Sequence, residues 1–208
     1  MAANLCEKLI AGCVGADCDN PIFEGMEAKA YIFNKSEIAS FTDDPSSPAN
    51  PNLKTAIVMK THQVNNNDVA YTGYTITQLG KTPFTGTNTT LVEGNVANTF
   101  TETFNFLVPD NSPTAAMLLD NIANGKFVVV AKNSYEGSDS KGQFQIYGAK
   151  KGLVCTAMER QAYSDDNAGG WAVTLTAEKT PNSALFLEHK TGTDVDTETY
   201  LETLVSCV

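Results

Sequence analysis

Residues 99–108 read TFTETFNFLV, and this stretch constrains the fold more than any other. Phe100, Phe104 and Phe106 fall on one side of an extended chain, with Thr101, Thr103 and Asn105 on the other. A period of two with one apolar face is the pattern of a half-buried antiparallel strand. Other stretches follow suit. Residues 26–34 alternate with both faces at least partly covered, 53–61 and 69–79 are rich in β-branched and aromatic residues, and 126–132 (KFVVVAK) is apolar enough to be buried on both faces. QFQIYG, LVCTAMER and GWAVTLTAEK add three more strands, for about eight in all.

Turn chemistry punctuates these runs. NNND (65–68) is a turn, 80–90 and 133–142 are polar connections, and AKKG and QAYSDDNAGG join the last three strands. Gly148 and Gly152 bracket a tight connection that calls for positive φ, as do Gly169 and Gly170 ahead of Trp171. Trp171 shares a strand face with Val173 and Leu175, which places it in the core or at an interface.

Two segments read as helices, and a third short turn of helix fits NLCEKLI within the first twenty residues. Over 109–125, Ser112 caps the start, Pro113 occupies the first turn, and Ala115, Leu118, Leu119 and Ile122 form one stripe. Gly125 is placed to end this helix in a left-handed conformation. Near the C-terminus Tyr200, Leu201, Leu204 and Val205 make a helical stripe with Thr197 as its cap, with a terminal strand as the alternative. Strands and helices do not alternate as βαβ units, which disfavours a parallel doubly wound sheet. The expected class is mainly β (α+β): an antiparallel β-sandwich or barrel with one flanking helix and a short C-terminal helix. The 208 residues divide into an N-terminal arm, 1–23, and a single β-rich domain, 24–208, with a long loop at 42–53 that carries three prolines and is expected to reach a neighbouring subunit.

Function is bounded by what is missing. The formal net charge is −10 with one arginine, Arg160, which argues against a tight grip on nucleic acid or anionic membranes. Charged residues are 18% of the chain, with Thr, Asn, Ala and Gly filling the gap, and a neutral polar surface suits packing against copies of itself. Cys6, Cys13, Cys18, Cys155 and Cys207 are odd in number and lack CxxC spacing, so free thiols are expected rather than a disulfide framework or a zinc site. The N-terminus has no signal-peptide pattern, and no apolar run is long enough to span a membrane. His62 and His189 lie far apart in sequence with no HxxxH or HxH spacing. Phosphate-loop, nucleophile-elbow and dinucleotide motifs are absent. The acidic groups Asp43–Asp44, Asp165–Asp166 and Asp194 with Asp196 and Glu198 lie in Ser, Thr, Asn and Gly surroundings that read as solvated turns, not as a catalytic pair. SDDNAGG and DVDTE lack the spaced ligands of a calcium loop. The expectation is no enzyme, no catalytic residue, no metal and no cofactor.

The order VEGNVANTFTETFNFLV, AAMLLDNIANGKFVVV, QFQIYGAKKGL, an Arg160-bearing strand and GGWAVTLTAEKTP, preceded by EAKAYIFNKSEIASF, resembles the major tail proteins of tailed bacteriophages, the tail-tube type, over roughly residues 24–188. That resemblance implies a virion structural protein, made in the bacterial host cytoplasm, whose copies form stacked rings around a DNA channel. Its partners would be copies of itself and other phage structural proteins, with DNA passing only transiently through the lumen and no membrane contact. Two alternatives stay open. One is another phage component, such as a capsid decoration or neck protein. The other is a carbohydrate- or host-surface-binding β-sandwich with Tyr71, Tyr74 and Tyr163 as its aromatic platform.

Overall fold

The computed structural model describes residues 26–45, 50–77, 86–108, 112–134, 141–160, 169–189 and 196–205. The arm at 1–23, with three of the cysteines, lies outside them, as do Cys207, Tyr163, Asp165, Asp166 and Asp194. The strands are β1 (Met26–Asn34), β2 (Ile38–Asp43), β3 (Leu53–Met59), β4 (Thr61–Val64), β5 (Asn67–Ala70), β6 (Tyr74–Thr77), β7 (Gly86–Val92), β8 (Thr99–Val108), β9 (Phe127–Asn133), β10 (Phe144–Tyr147), β11 (Val154–Arg160), β12 (Trp171–Thr180) and β13 (Leu185–Leu187). The helices are α1 (Pro113–Asn124) and α2 (Thr197–Thr203), with a 3-10 turn at Lys35–Glu37. The chain is therefore mainly β, with more and shorter strands than the eight expected.

Seven strands form one sheet in the order β2-β3-β13-β10-β9-β1-β6, four form a second in the order β11-β12-β8-β7, and β4 and β5 pair alone. All pairings are antiparallel except β13 with β3. The larger sheet cannot be flat. β1 and β2 stand five places apart in it, about 24 Å at the usual strand spacing, yet the Lys35–Glu37 turn that joins them reaches no more than about 14 Å. The sheet must roll until β2 returns beside the end of β1. The Lys60 N–H bonded to the Glu37 carbonyl at 2.8 Å lies at this meeting point.

Rolling gives the sheet two buried faces, which explains why its central strands read as apolar on both sides. Ile32 and Val129 point into a core shared with Phe104, Phe106, Val173 and Leu175 of the four-stranded sheet and Leu119 and Ile122 of α1. Tyr31, Phe33, Val128 and Val130 point the other way, into the roll, where they meet Ile38, Ile57, Leu185 and Leu187. Leu201 of α2 fills this second core. The architecture is a sandwich whose larger layer is curled, with α1 beside β11 continuing the smaller layer.

Several local expectations need correction. Residues 86–90 belong to strand β7, not to a loop, and 69–79 is split at Gly73, whose Cβ position is filled by the Phe33 ring and the Ile32 carbonyl. The long loop is shorter than 42–53: Asp43 ends β2 and Leu53, buried, begins β3, so the loop is the tip of an antiparallel pair. Leu118 is 51% exposed, and α1 buries only Ala115, Leu119 and Ile122. Ser112 caps α1 as expected, its hydroxyl accepting from the Ala115 N–H at 3.2 Å. Gly125 is extended (φ −87), not left-handed, and is required because the Phe127 ring occupies the space of a Cβ. Asp196, not Thr197, caps α2. Gly148, Gly152 and Gly169 do take positive φ, whereas Gly170 does not.

Candidate assembly surfaces

The four-stranded sheet turns one face to the core and leaves the other outward. Cross-strand register places Asn88 opposite Thr103, Thr90 opposite Thr101, and Thr174 opposite Asn105, with Thr176 continuing the row. The hydroxyls of Thr156 and Thr176 bond each other at 2.9 Å across β11 and β12. The middle of this face is thus threonine and asparagine without charge, on a chain of net charge −10. Among the described residues charges appear only towards its margins, at Glu159 and Glu178.

The same sheet has an open side. α1 lies against β11, while β7 pairs as a strand with β8 alone among the described residues. An edge strand is normally blunted by proline, lysine or an inward charge. β7 (GTNTTLV) has none of these, and Leu91, Val92 and Val96 of the adjoining hairpin are exposed. A second element, the β4–β5 hairpin, joins neither larger sheet among the described residues. Its two-residue turn, Asn65–Asn66, takes φ of 50° and 65°, which asparagine tolerates and a tight hairpin demands. His62, Val64 and Val69 share one hairpin face by register, and both valines are exposed. A lone two-stranded ribbon is marginal in water.

One buried acid sits behind the threonine face. Glu102 is in phase with Phe100, Phe104 and Phe106 and is only 4% exposed. Its carboxylate accepts the Gly148 N–H at 2.7 Å, tying β8 to the turn after β10. Burial pushes its carboxyl above the ordinary value, and the Gly148 N–H and Thr180 hydroxyl pull it back only in part. The neighbouring Tyr147 phenol is pushed up to about 12, chiefly by burial, then by the Glu102 charge against the pull of the Thr87 hydroxyl. Period-two alternation already marks Glu102 as inward, but the phenylalanines on that face draw attention away from it.

The polar residues singled out in the sequence do not converge. His62 packs its ring on Tyr71 at 4.3 Å between centroids, and His189 stacks on Tyr200 at 3.7 Å with Nδ1 2.8 Å from the Thr55 carbonyl. Asp43 pairs with Lys54, and Asp44 is buried rather than solvated. Asp196 caps α2, and Glu198 pairs with Lys132 at 2.9 Å and Lys29 at 3.7 Å. Among the described residues no three His, Cys, Asp or Glu side chains gather as a metal site. Cys155 is a free, half-buried thiol. Trp171 is half-buried against the inter-sheet core, and Arg160 at the end of β11 donates to the Gly169 carbonyl at 3.2 Å. Tyr71 is half-buried, and Tyr74 is exposed on β6. No helix among the described residues is long and apolar enough to cross a membrane.

No protein-family model, no curated protein and no solved structure matches this chain.

Proposed function

We propose that this chain is a structural subunit of a phage particle, of the tail-tube type, whose copies join through strand edges into rings that stack. The observation that carries this is the small sheet itself: an uncharged Thr/Asn outer face bordered by an unblunted, uncharged edge strand, β7, on a strongly acidic chain. Strand addition at β7 would extend that sheet through main-chain hydrogen bonds from copy to copy. It would bury few charges, avoiding a desolvation penalty. Repeated round a ring, it would present the threonine face to a common bore. Duplex DNA is held mainly through lysine and arginine contacts to phosphate, and a hydroxyl-and-amide lining offers none. The exposed ribbon β4–β5 supplies a further contact to a neighbour.

Negative-stain microscopy of the concentrated protein tests this. Rings or tubes of uniform width are expected. Dispersed single particles at all concentrations, with a monomer mass in sedimentation, would overturn it.

A further inference from the structure

The lysines of this acidic chain are distributed unevenly. Lys29, Lys54, Lys132 and Lys141 each pair with a carboxylate. Six lysines form no ion pair among the described residues; Lys179 lies on β12, and the other five, Lys35, Lys60, Lys126, Lys150 and Lys151, gather at one end of the fold. The rolling of the large sheet brings them together from four places: the 3-10 turn, the β3–β4 junction, the α1–β9 link and the β10–β11 turn. Lys35 donates its N–H to the Lys126 carbonyl at 2.9 Å and its Nζ to the Ala149 carbonyl at 2.6 Å. Lys60 Nζ bonds the Ser36 carbonyl at 2.6 Å. Gly152 lets the stems close up, since a Cβ there would lie 3.2 Å from Lys126 Cβ and 3.3 Å from Lys35 Cγ. Burial, then the charges of Lys150 and Lys60, hold the Lys35 amine below its ordinary value.

Two clefts flank this end. One, of about 360 Å³, is mostly apolar, lined by Ile32, Phe33, Tyr74, Leu118 and Phe127 with Asn34 and Asn121 among them. The other, of about 220 Å³, runs from Lys126 and Lys151 to Thr156, Thr176 and Glu178, so the lysine end is continuous with the threonine face. An apolar patch beside a charged margin is the anatomy of a protein–protein contact.

We propose that this lysine end is the docking face for an acidic surface of a second copy of the chain, which makes the contact between successive rings head-to-tail. This rests on the assembly reading above and assigns the residues on one side of that contact. A cluster of like charges repels its own image, so a two-fold contact through it is disfavoured, and a heterologous contact repeats into a stack. The occupant is chosen by charge. The chain carries −10 overall, and with five positive charges set apart here the remaining surface is more acidic still. Nucleic acid is the weaker candidate, because the cluster contains no arginine and the rest of the molecule repels phosphate.

Equal parts of ¹⁵N-labelled and unlabelled protein, assembled and treated with a carbodiimide, should give mixed-isotope cross-links from Lys60, Lys126, Lys150 or Lys151 to Asp or Glu of another copy. The K150E/K151E variant should unfold at the parent's denaturant midpoint, yet its assembled fraction at 50 mM salt should fall at least about tenfold. Tubes from the variant with the parent's salt dependence would overturn the docking face and leave ring formation intact. Loss of parental binding to a 30-base-pair duplex, with assembly unchanged, would make the cluster a nucleic-acid site and overturn the proposal. A parent that never assembles would remove both proposals.

Discussion

Glu102 is the residue whose position is hardest to reconcile with simple burial of apolar side chains. It occupies a phenylalanine's place in the pattern, and its partners are one N–H and one hydroxyl. Because its folded carboxyl is raised above the ordinary 4.5, its contribution to stability is fully present below the unfolded value and is lost as pH rises through the folded one. Glu102→Gln keeps an acceptor for Gly148 and removes the charge. It should therefore stabilise the protein by about 1 kcal/mol at pH 8, with little change at pH 4, flattening the loss of stability between them. Urea midpoints at the two pH values check this. A variant less stable at pH 8, with the parent's pH slope, would show that the ionised form is the one the fold prefers.

At the scale of elements, the short helix α2 matters more than its seven residues suggest. The Tyr200 hydroxyl accepts the Ile57 N–H and donates to the Ile57 carbonyl, both at 3.0 Å, so one side chain stands in for a missing strand neighbour of β3. Tyr200→Phe should cost about 1–3 kcal/mol by leaving both groups unpaired, and amide exchange should quicken at Ile57 first. Unchanged protection there would mean that water replaces the hydroxyl. The flanking helix α1 separates two leucines that periodicity groups together. Leu119→Ala should cost about 2–4 kcal/mol by opening the inter-sheet core. Leu118→Ala should stay within about 0.5 kcal/mol, since that side chain lines an open cleft. Equal denaturant midpoints for the two variants would contradict this division.

For the whole molecule, the rolled sheet sets which distant segments become neighbours. It gathers five of the lysines that have no ion pair among the described residues at one end, while the four-stranded sheet carries β7 at its edge and the threonine face outward. Leu91 is exposed on β7, so Leu91→Lys should change stability by no more than about 0.5 kcal/mol. A charge on an edge strand opposes strand addition, so the variant should remain monomeric where the parent forms rings. Sedimentation velocity reads both species, and rings of normal size from the variant would exclude β7 as the joint.

Period-two alternation in β8, the two-sided apolar run of β9, the Ser112–Pro113 start of α1 and the positive-φ glycines around AKKG are local features. Backbone sterics and side-chain phase decide them within a few residues, and the sequence alone determined them, along with the mainly β class. It could not show that β1 and β2 meet, that Tyr200 completes β3, or that five lysines share one end, because each depends on contacts between distant segments. Nor could periodicity separate Leu118 from Leu119, since which side of an apolar stripe is covered depends on where the next layer stops. Those outcomes belong to the tertiary structure: a short turn joining the ends of a seven-stranded sheet makes the sheet roll, and the roll decides what becomes neighbour to what.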